Sequence, residues 1–206
     1  MKFLLFTIAG LLAVKNNSSI QEETPYVLVK TKNNIALYEH WITGAFNTSI
    51  RELKVEFATT AGHEKIIALL KNASRGKDWN KNAVAFNTIL QSNNSWITYI
   101  RYRIPWPFDD QDICMQYHVI PGNKTGHEIH FQSVVSEHFP VNKKVTRVAG
   151  AKGKWLFKNG ADGKTQIVYT IATEKSSQVP KWVSDPLVQN NLLDAMDALK
   201  KIVEDY

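Results

Sequence analysis

The stretch Asp185-Pro186-Leu187-Val188-Gln189-Asn190-Asn191-Leu192-Leu193-Asp194-Ala195-Met196-Asp197-Ala198-Leu199-Lys200-Lys201-Ile202-Val203 decides the fold. Its apolar residues Val188, Leu192, Ala195, Met196, Leu199, Ile202 and Val203 recur at helical intervals, which puts them on one stripe of an α-helix. Asp185 supplies an N-cap and Pro186 a first helical residue with its φ already set. Pro180-Lys181-Trp182 reads as the turn that delivers the chain into the helix. Nearly everything from residue 26 to residue 174 carries the marks of β-structure. One long amphipathic helix therefore arrives last and needs a sheet to lie on.

Working back from the helix, the strands follow from alternation and turn chemistry. Tyr26 to Thr31 and Ile35 to Ile42 flank Lys32-Asn33-Asn34 and form a hairpin. Ile50 to Phe57 sets Leu53, Val55 and Phe57 on one face against Lys54 and Glu56. A short helix follows with Ile66, Leu69, Leu70 and Ala73 on its apolar side, and Arg75-Gly76-Lys77-Asp78 ends it. Ala83 to Leu90 and Trp96 to Ile104 are strands, and Pro105-Trp106-Pro107 forces an extended corner. Ile113 to Ile120 leads through the turn Pro121-Gly122-Asn123-Lys124 to Glu128 to Ser136. Val145 to Ala149 and Lys154 to Phe157 are further strands. Asn159-Gly160-Ala161-Asp162-Gly163 is the strongest hairpin signal, leading into Lys164 to Thr173. One apolar face per strand implies a sheet solvated on its other side, curved around the terminal helix. The class is α+β.

At 206 residues the chain fits one sizeable domain that needs neither disulfide nor metal to bury a core. Its single cysteine, Cys114, excludes an intrachain disulfide and reads as a small buried hydrophobe. Met1-Lys2 followed by the apolar run Phe3 to Val14 has the length of a signal-peptide core and is too short to span a bilayer. Residues 1–19 are thus expected to be a signal peptide and polar leader, residues 20–206 one domain, and the protein exported, periplasmic or secreted. The net charge of +6 concentrates in Lys143, Lys144, Arg147, Lys152, Lys154, Lys158 and Lys164, opposed within that run only by Asp162. This reads as a solvated, lysine-rich sheet edge that also offers transient contact to an anionic membrane surface. No nucleic-acid-reading motif accompanies it.

Catalytic signatures are missing from the sequence. His127 and His130 are separated by an odd number of residues within a strand, so their imidazoles face opposite ways, which is not a ligand arrangement. Asp109, Asp110 and Asp112 lack the glycine and distal glutamate of a calcium loop and read as a turn cap. There is no nucleophile elbow, phosphate loop or dinucleotide fingerprint. No catalytic residue, metal or cofactor is assigned. The remaining signal is the inner lining, where Met115, Tyr117, Ile129, Phe131, Ile167, Tyr169 and Ile171 would face Leu192, Met196 and Leu199. Taken on pattern alone, these form either a packed core or the wall of an apolar cavity.

Three segments in order, Pro105-Trp106-Pro107-Phe108-Asp109-Asp110-Gln111-Asp112-Ile113, Gly153-Lys154-Trp155-Leu156-Phe157 and Val179-Pro180-Lys181-Trp182-Val183, resemble the steroidogenic acute regulatory protein-related lipid-transfer (START) domain. The likeness runs from about Tyr26 to the C-terminus. Asp112 matches the family's Asp, whereas Gln111 stands where Arg is usual, removing a charge partner at that corner. The resemblance implies a helix-grip fold with a curved antiparallel sheet wrapped around the C-terminal helix, which closes a hydrophobic tunnel. It also implies binding of a lipid, sterol or other hydrophobic small molecule; with no catalytic motif in the sequence, the expectation is a non-catalytic, monomeric binder. The family carries no shared ligand-contact motif, so no ligand residue is transferred. The alternatives are a cyclase-like enzyme on the same fold and a partner-binding domain with a filled core. Arg101, Arg103 and His118 are the polar candidates for the former, although their strand parity points them outward.

Overall fold

A computed structural model describes residues 24–44, 48–123, 126–160, 162–173 and 181–205. The leader expected at residues 1–19 and the Val179-Pro180 approach to the last helix lie outside them. Ten strands make one sheet: β1 Val27–Lys32, β2 Ile35–Thr43, β3 Ser49–Thr59, β4 Ala83–Ser92, β5 Ser95–Tyr102, β6 Asp110–Asn123, β7 Gly126–Ser133, β8 Val145–Arg147, β9 Ala151–Asn159 and β10 Thr165–Thr173. Three α-helices accompany them: α1 His63–Lys71, α2 Gly76–Trp79 and α3 Lys181–Glu204. The strand order is β1-β2-β3-β10-β9-β7-β6-β5-β4, antiparallel throughout, with short β8 added parallel to β6. The last strand thus inserts between β3 and β9 and carries the chain to the centre of the sheet before α3 starts.

Register turns the alternation of each strand into continuous inward rows. One row runs Leu37, Val55, Tyr169, Trp155, Ile129 and Val119 across six strands. The next runs Leu53, Ile171, Gly153, Phe131, Tyr117 and Trp96. Gly153 is required in that row: a Cβ there would stand 2.0 Å from the Thr170 carbonyl oxygen and 2.6 Å from Phe131 Cζ. The missing side chain lets the Phe131 ring lie over the strand.

Helix α3 covers these rows. It buries Leu193, Ala195, Met196, Ala198, Leu199 and Val203, each large apolar side chain contributing roughly 1.5–3 kcal/mol. Two features of the predicted stripe are corrected. Leu193 is buried although it lies beside the stripe, because a curved sheet encloses more of the helix than a flat one; Val188 is 44% exposed, beyond that enclosure. The helix also begins at Lys181, so Asp185 and Pro186 lie inside it and not at its start. Asp185 accepts a hydrogen bond from Arg51 Nη2 at 2.8 Å instead of capping.

Polar contacts fasten the helix to the β1–β2 hairpin. Lys30 Nζ donates to Asn190 Oδ1 at 2.6 Å, Lys32 Nζ pairs with Asp194 at 2.5 Å, and Asn33 Nδ2 donates to Asp197 Oδ1 at 3.0 Å. Toward α2, Asn82 Nδ2 donates to Asn191 Oδ1 at 2.7 Å. Burial pushes the Asp197 carboxyl up, but hydrogen bonds from Lys201 and Asn33, with the charges of Lys201 and Lys32, outweigh it and hold it below its ordinary value.

Other expectations shift in instructive ways. Arg75 to Asp78 does not end the helical segment: a 3₁₀ turn capped by Asn72 leads into α2. Strand β6 continues through Pro121 and Gly122 to Asn123, accommodating them by a register shift after Ile120. The lysine-rich strand β9 is central, so Lys152, Lys154 and Lys158 are exposed on the sheet's convex face and guard no edge. The convex face is itself partly covered, since Phe139 stacks on Tyr99 at 4.9 Å and Cys114 is fully buried beneath. There Asp112 finds the partner that Gln111 does not provide. Arg147 on β8 clasps it in a two-pronged pair, Nε to Oδ1 at 2.6 Å and Nη2 to Oδ2 at 3.0 Å.

Two predictions follow from these pairs. With side-chain exposures of 1% for Asp112 and 13% for Arg147, replacing Arg147 by Met leaves a buried charge and costs about 3–5 kcal/mol in chemical unfolding. The double variant Asp112→Asn with Arg147→Met recovers part of that loss. For Asp197, a depressed folded pKa stabilises above the ordinary aspartate value near 3.9, and the contribution is lost as pH falls through the folded value. The melting-temperature gap between wild type and Asp197→Asn is therefore largest near neutrality and narrows as pH falls below the ordinary aspartate value.

Candidate functional site

The interior between the sheet and α3 is lined by a connected series of aromatic rings. Trp96 stacks on Tyr117 at 5.0 Å, Tyr117 meets Phe131 at 5.2 Å, and Phe131 meets Tyr169 at 5.5 Å. Tyr169 stands edge-on to Trp155 at 4.7 Å, Trp155 is 6.2 Å from Phe157, and Phe157 is 6.3 Å from His63. His63 ends the series stacked on His127 at 3.7 Å. Burial holds the His63 imidazole below its ordinary value; Glu64 partly offsets this and His127 adds to it.

The residues predicted to line the interior come together. Met115, Tyr117, Ile129, Phe131, Ile167, Tyr169, Met196 and Leu199 are buried in one cluster, with Ile171 and Leu192 partly buried against it. Sequence reasoning missed Trp96, Trp155 and Phe157, which belong to the same cluster. Parity along Lys154 to Phe157 carried the signal for the last two. Trp79 and Asn80 were missed because they form the last residue and the C-cap of α2, a single helical turn too short to show a period.

The polar candidates lie elsewhere. Arg101 pairs outward with Asp110 at 2.7 Å, and Arg103 and His118 are exposed. His130 contacts Glu128 at 2.7 Å on the face opposite His127, as an odd strand spacing requires. Asp110 is a turn cap in part, its Oδ1 accepting from the Ile104 amide at 3.3 Å. No group of three His, Cys, Asp or Glu side chains able to hold a metal ion occurs among the described residues.

What distinguishes this interior chemically is its set of unpaired donors. The indole N–H groups of Trp79, Trp96 and Trp155 and the Asn80 amide nitrogen are buried without a hydrogen-bond partner. Tyr102 donates from its hydroxyl to Asn80 Oδ1 at 2.9 Å. Burial raises the Tyr102 and Tyr117 phenols, and that of Tyr169 well above its ordinary value, so all three remain protonated. Apolar surroundings of this kind disfavour a bare ion, and an unpaired N–H donor in them gains from an acceptor oxygen.

Comparison with known proteins agrees with this architecture. An uncharacterised protein from Pseudomonas aeruginosa is 21% identical over 201 residues, covering 95% of this chain and 94% of that protein. A solved fragment of a STAR-related lipid transfer protein from Xanthomonas axonopodis superposes with a TM-score of 0.73 at 19% identity, covering 86% of this chain and 98% of that one. Human STARD10 gives a TM-score of 0.68 at 19% identity, covering 88% and 74%. The START domain family model matches residues 26–206, from the first strand through the helix that covers the sheet, and the chain belongs to the START family.

Proposed function

We propose that the protein binds one lipid, sterol or other apolar molecule between the inner aromatic rows and α3, and performs no chemistry on it. The observation that carries this reading is the interior itself: in a START-family chain, apolar rings enclose indole N–H groups that have no partner in the protein. The driving force is removal of ligand surface from water, about 25 cal/mol per Å² before the costs of ordering are subtracted. Leu192, Met196 and Leu199 form the wall on the helix side, and exchange requires α3 or its flanking loops to move. Solved proteins of this fold whose names include lipid transfer support the same class of ligand.

Two further features belong to the proposal. The apolar run Phe3 to Val14 directs the protein out of the cytosol. Contact with an anionic membrane falls at one end of the sheet. There the pairing of Val145 with Asp110 brings exposed Lys143 and Lys144 to the loop that carries Trp106, 92% exposed.

The direct test is native mass spectrometry of protein purified from its source, followed by extraction. A co-purified apolar molecule, returned unchanged after rebinding, is the expected result. A chemically altered molecule replaces the carrier with the cyclase alternative, and a protein that accepts no apolar probe has a filled core. Replacement of Met196 by Trp is expected to abolish uptake of diphenylhexatriene while shifting the melting temperature by only about 2–4 °C.

A further inference from the structure

Among the described residues the buried carboxylates are paired, whereas several buried donors are not. Those carboxylates are Asp112 and Asp197. Arg147 holds the first and Asn33 with Lys201 the second. Neither belongs to the apolar cluster beneath α3, where Lys71 Nζ stands 5.1 Å from the Trp96 ring centroid and donates to the Asn93 carbonyl. A charged headgroup drawn in beyond Lys71 would lose its hydration among apolar rings, which favours an uncharged one.

The unpaired donors have the opposite preference. An indole N–H donates and never accepts, so Trp79, Trp96 and Trp155 can be satisfied only by an acceptor from outside the protein. Asn80 stands out because its position is fixed on every other atom. Its backbone N–H donates to the Gly76 carbonyl at 3.0 Å, its carbonyl accepts from Ala83 at 2.8 Å, and its Oδ1 accepts from Tyr102. Only Nδ2 remains, and the residue is 4% exposed.

Its surroundings place it at one end of the inner face. Tyr102 lies six residues beyond Trp96 on β5, an even separation that puts both on the same side of the sheet. Trp96 in turn stacks on Tyr117 at 5.0 Å, which joins this end of β5 to the ring series. Trp79, next to Asn80, is held edge-on against Phe86 at 5.8 Å.

We infer that Asn80, braced by Tyr102 and flanked by the Trp79 indole, anchors an uncharged oxygen of the ligand: a ketone, ester or hydroxyl oxygen. The inference rests on the apolar-ligand reading above and adds to it the polarity of the ligand and the end at which it is read. The apolar body of the ligand then extends along the ring series toward Phe157, away from the anchor.

The test uses two fluorescent probes on the full chain. Laurdan has a long apolar body and one ketone; diphenylhexatriene has no polar atom. Replacing Asn80 by Leu is expected to weaken laurdan about tenfold, equivalent to about 1.4 kcal/mol, and to leave diphenylhexatriene within about twofold. Tyr102→Phe keeps the ring, frees the amide and is expected to produce a smaller loss of the same kind, so the test stands even if the Leu variant folds poorly. Equal laurdan affinity in wild type and both variants, with diphenylhexatriene bound by all, overturns the anchor and leaves the carrier intact. Failure of the wild type to bind either probe overturns both.

Discussion

Burial of the inner aromatic rows under α3 is the constraint on which the remainder of the structure depends. Trp96, Tyr117, Phe131, Tyr169, Trp155 and Phe157 form a surface that water cannot face without large loss, and the sheet alone cannot cover it. Central placement of β10 between β3 and β9 brings the chain to the middle of the sheet, and α3 then packs against β2, β3, α1 and α2. Gly153 belongs to the same requirement, since any side chain there would displace Phe131 and break the row.

Polar groups divide cleanly between those that hold the fold and those left unpaired. Asn190, Asp194 and Asp197 tie α3 to the first hairpin, and Asp185 ties its first turns to β3. Arg147 neutralises Asp112 under the convex-side cover. These are solved electrostatic problems, each with a partner at hydrogen-bond distance. The buried indoles and the Asn80 amide are among the exceptions, with His40 Nε2 and Thr88 Oγ1, and the three indoles belong to the apolar cluster beneath α3. That distribution is what supports the proposed ligand, a mostly hydrocarbon molecule with a neutral oxygen.

Much of this was legible in one dimension. Alternation in Ile113 to Ile120 and Lys164 to Thr173 marked Met115, Tyr117, Ile167 and Tyr169 as inward, because side-chain direction in a strand has a period of two. Odd spacing separated His127 from His130 for the same reason. Errors came where a local rule met a non-local partner. Asp185-Pro186 has the composition of a helix start, yet a further turn precedes it, and Arg51 engages the aspartate that would otherwise cap. The lysines of β9 resemble edge protection, but edge or centre is a property of strand order, which no single strand encodes.

The amino-acid sequence by itself determined the alternating strands, the closing amphipathic helix, the inward parity of the lining residues and, through three ordered segments, the likeness to START domains. Periodicity and turn chemistry act over a few residues, so they can be read without knowing what lies opposite. Tertiary structure alone decided the partner of Asp112, the central position of the lysine-bearing strand, and the meeting of Asn80 with Tyr102. Those depend on residues 35, 22 or more positions apart being brought together. A hydrogen bond or a charge pair acts over a few ångströms of space, whatever the distance along the chain.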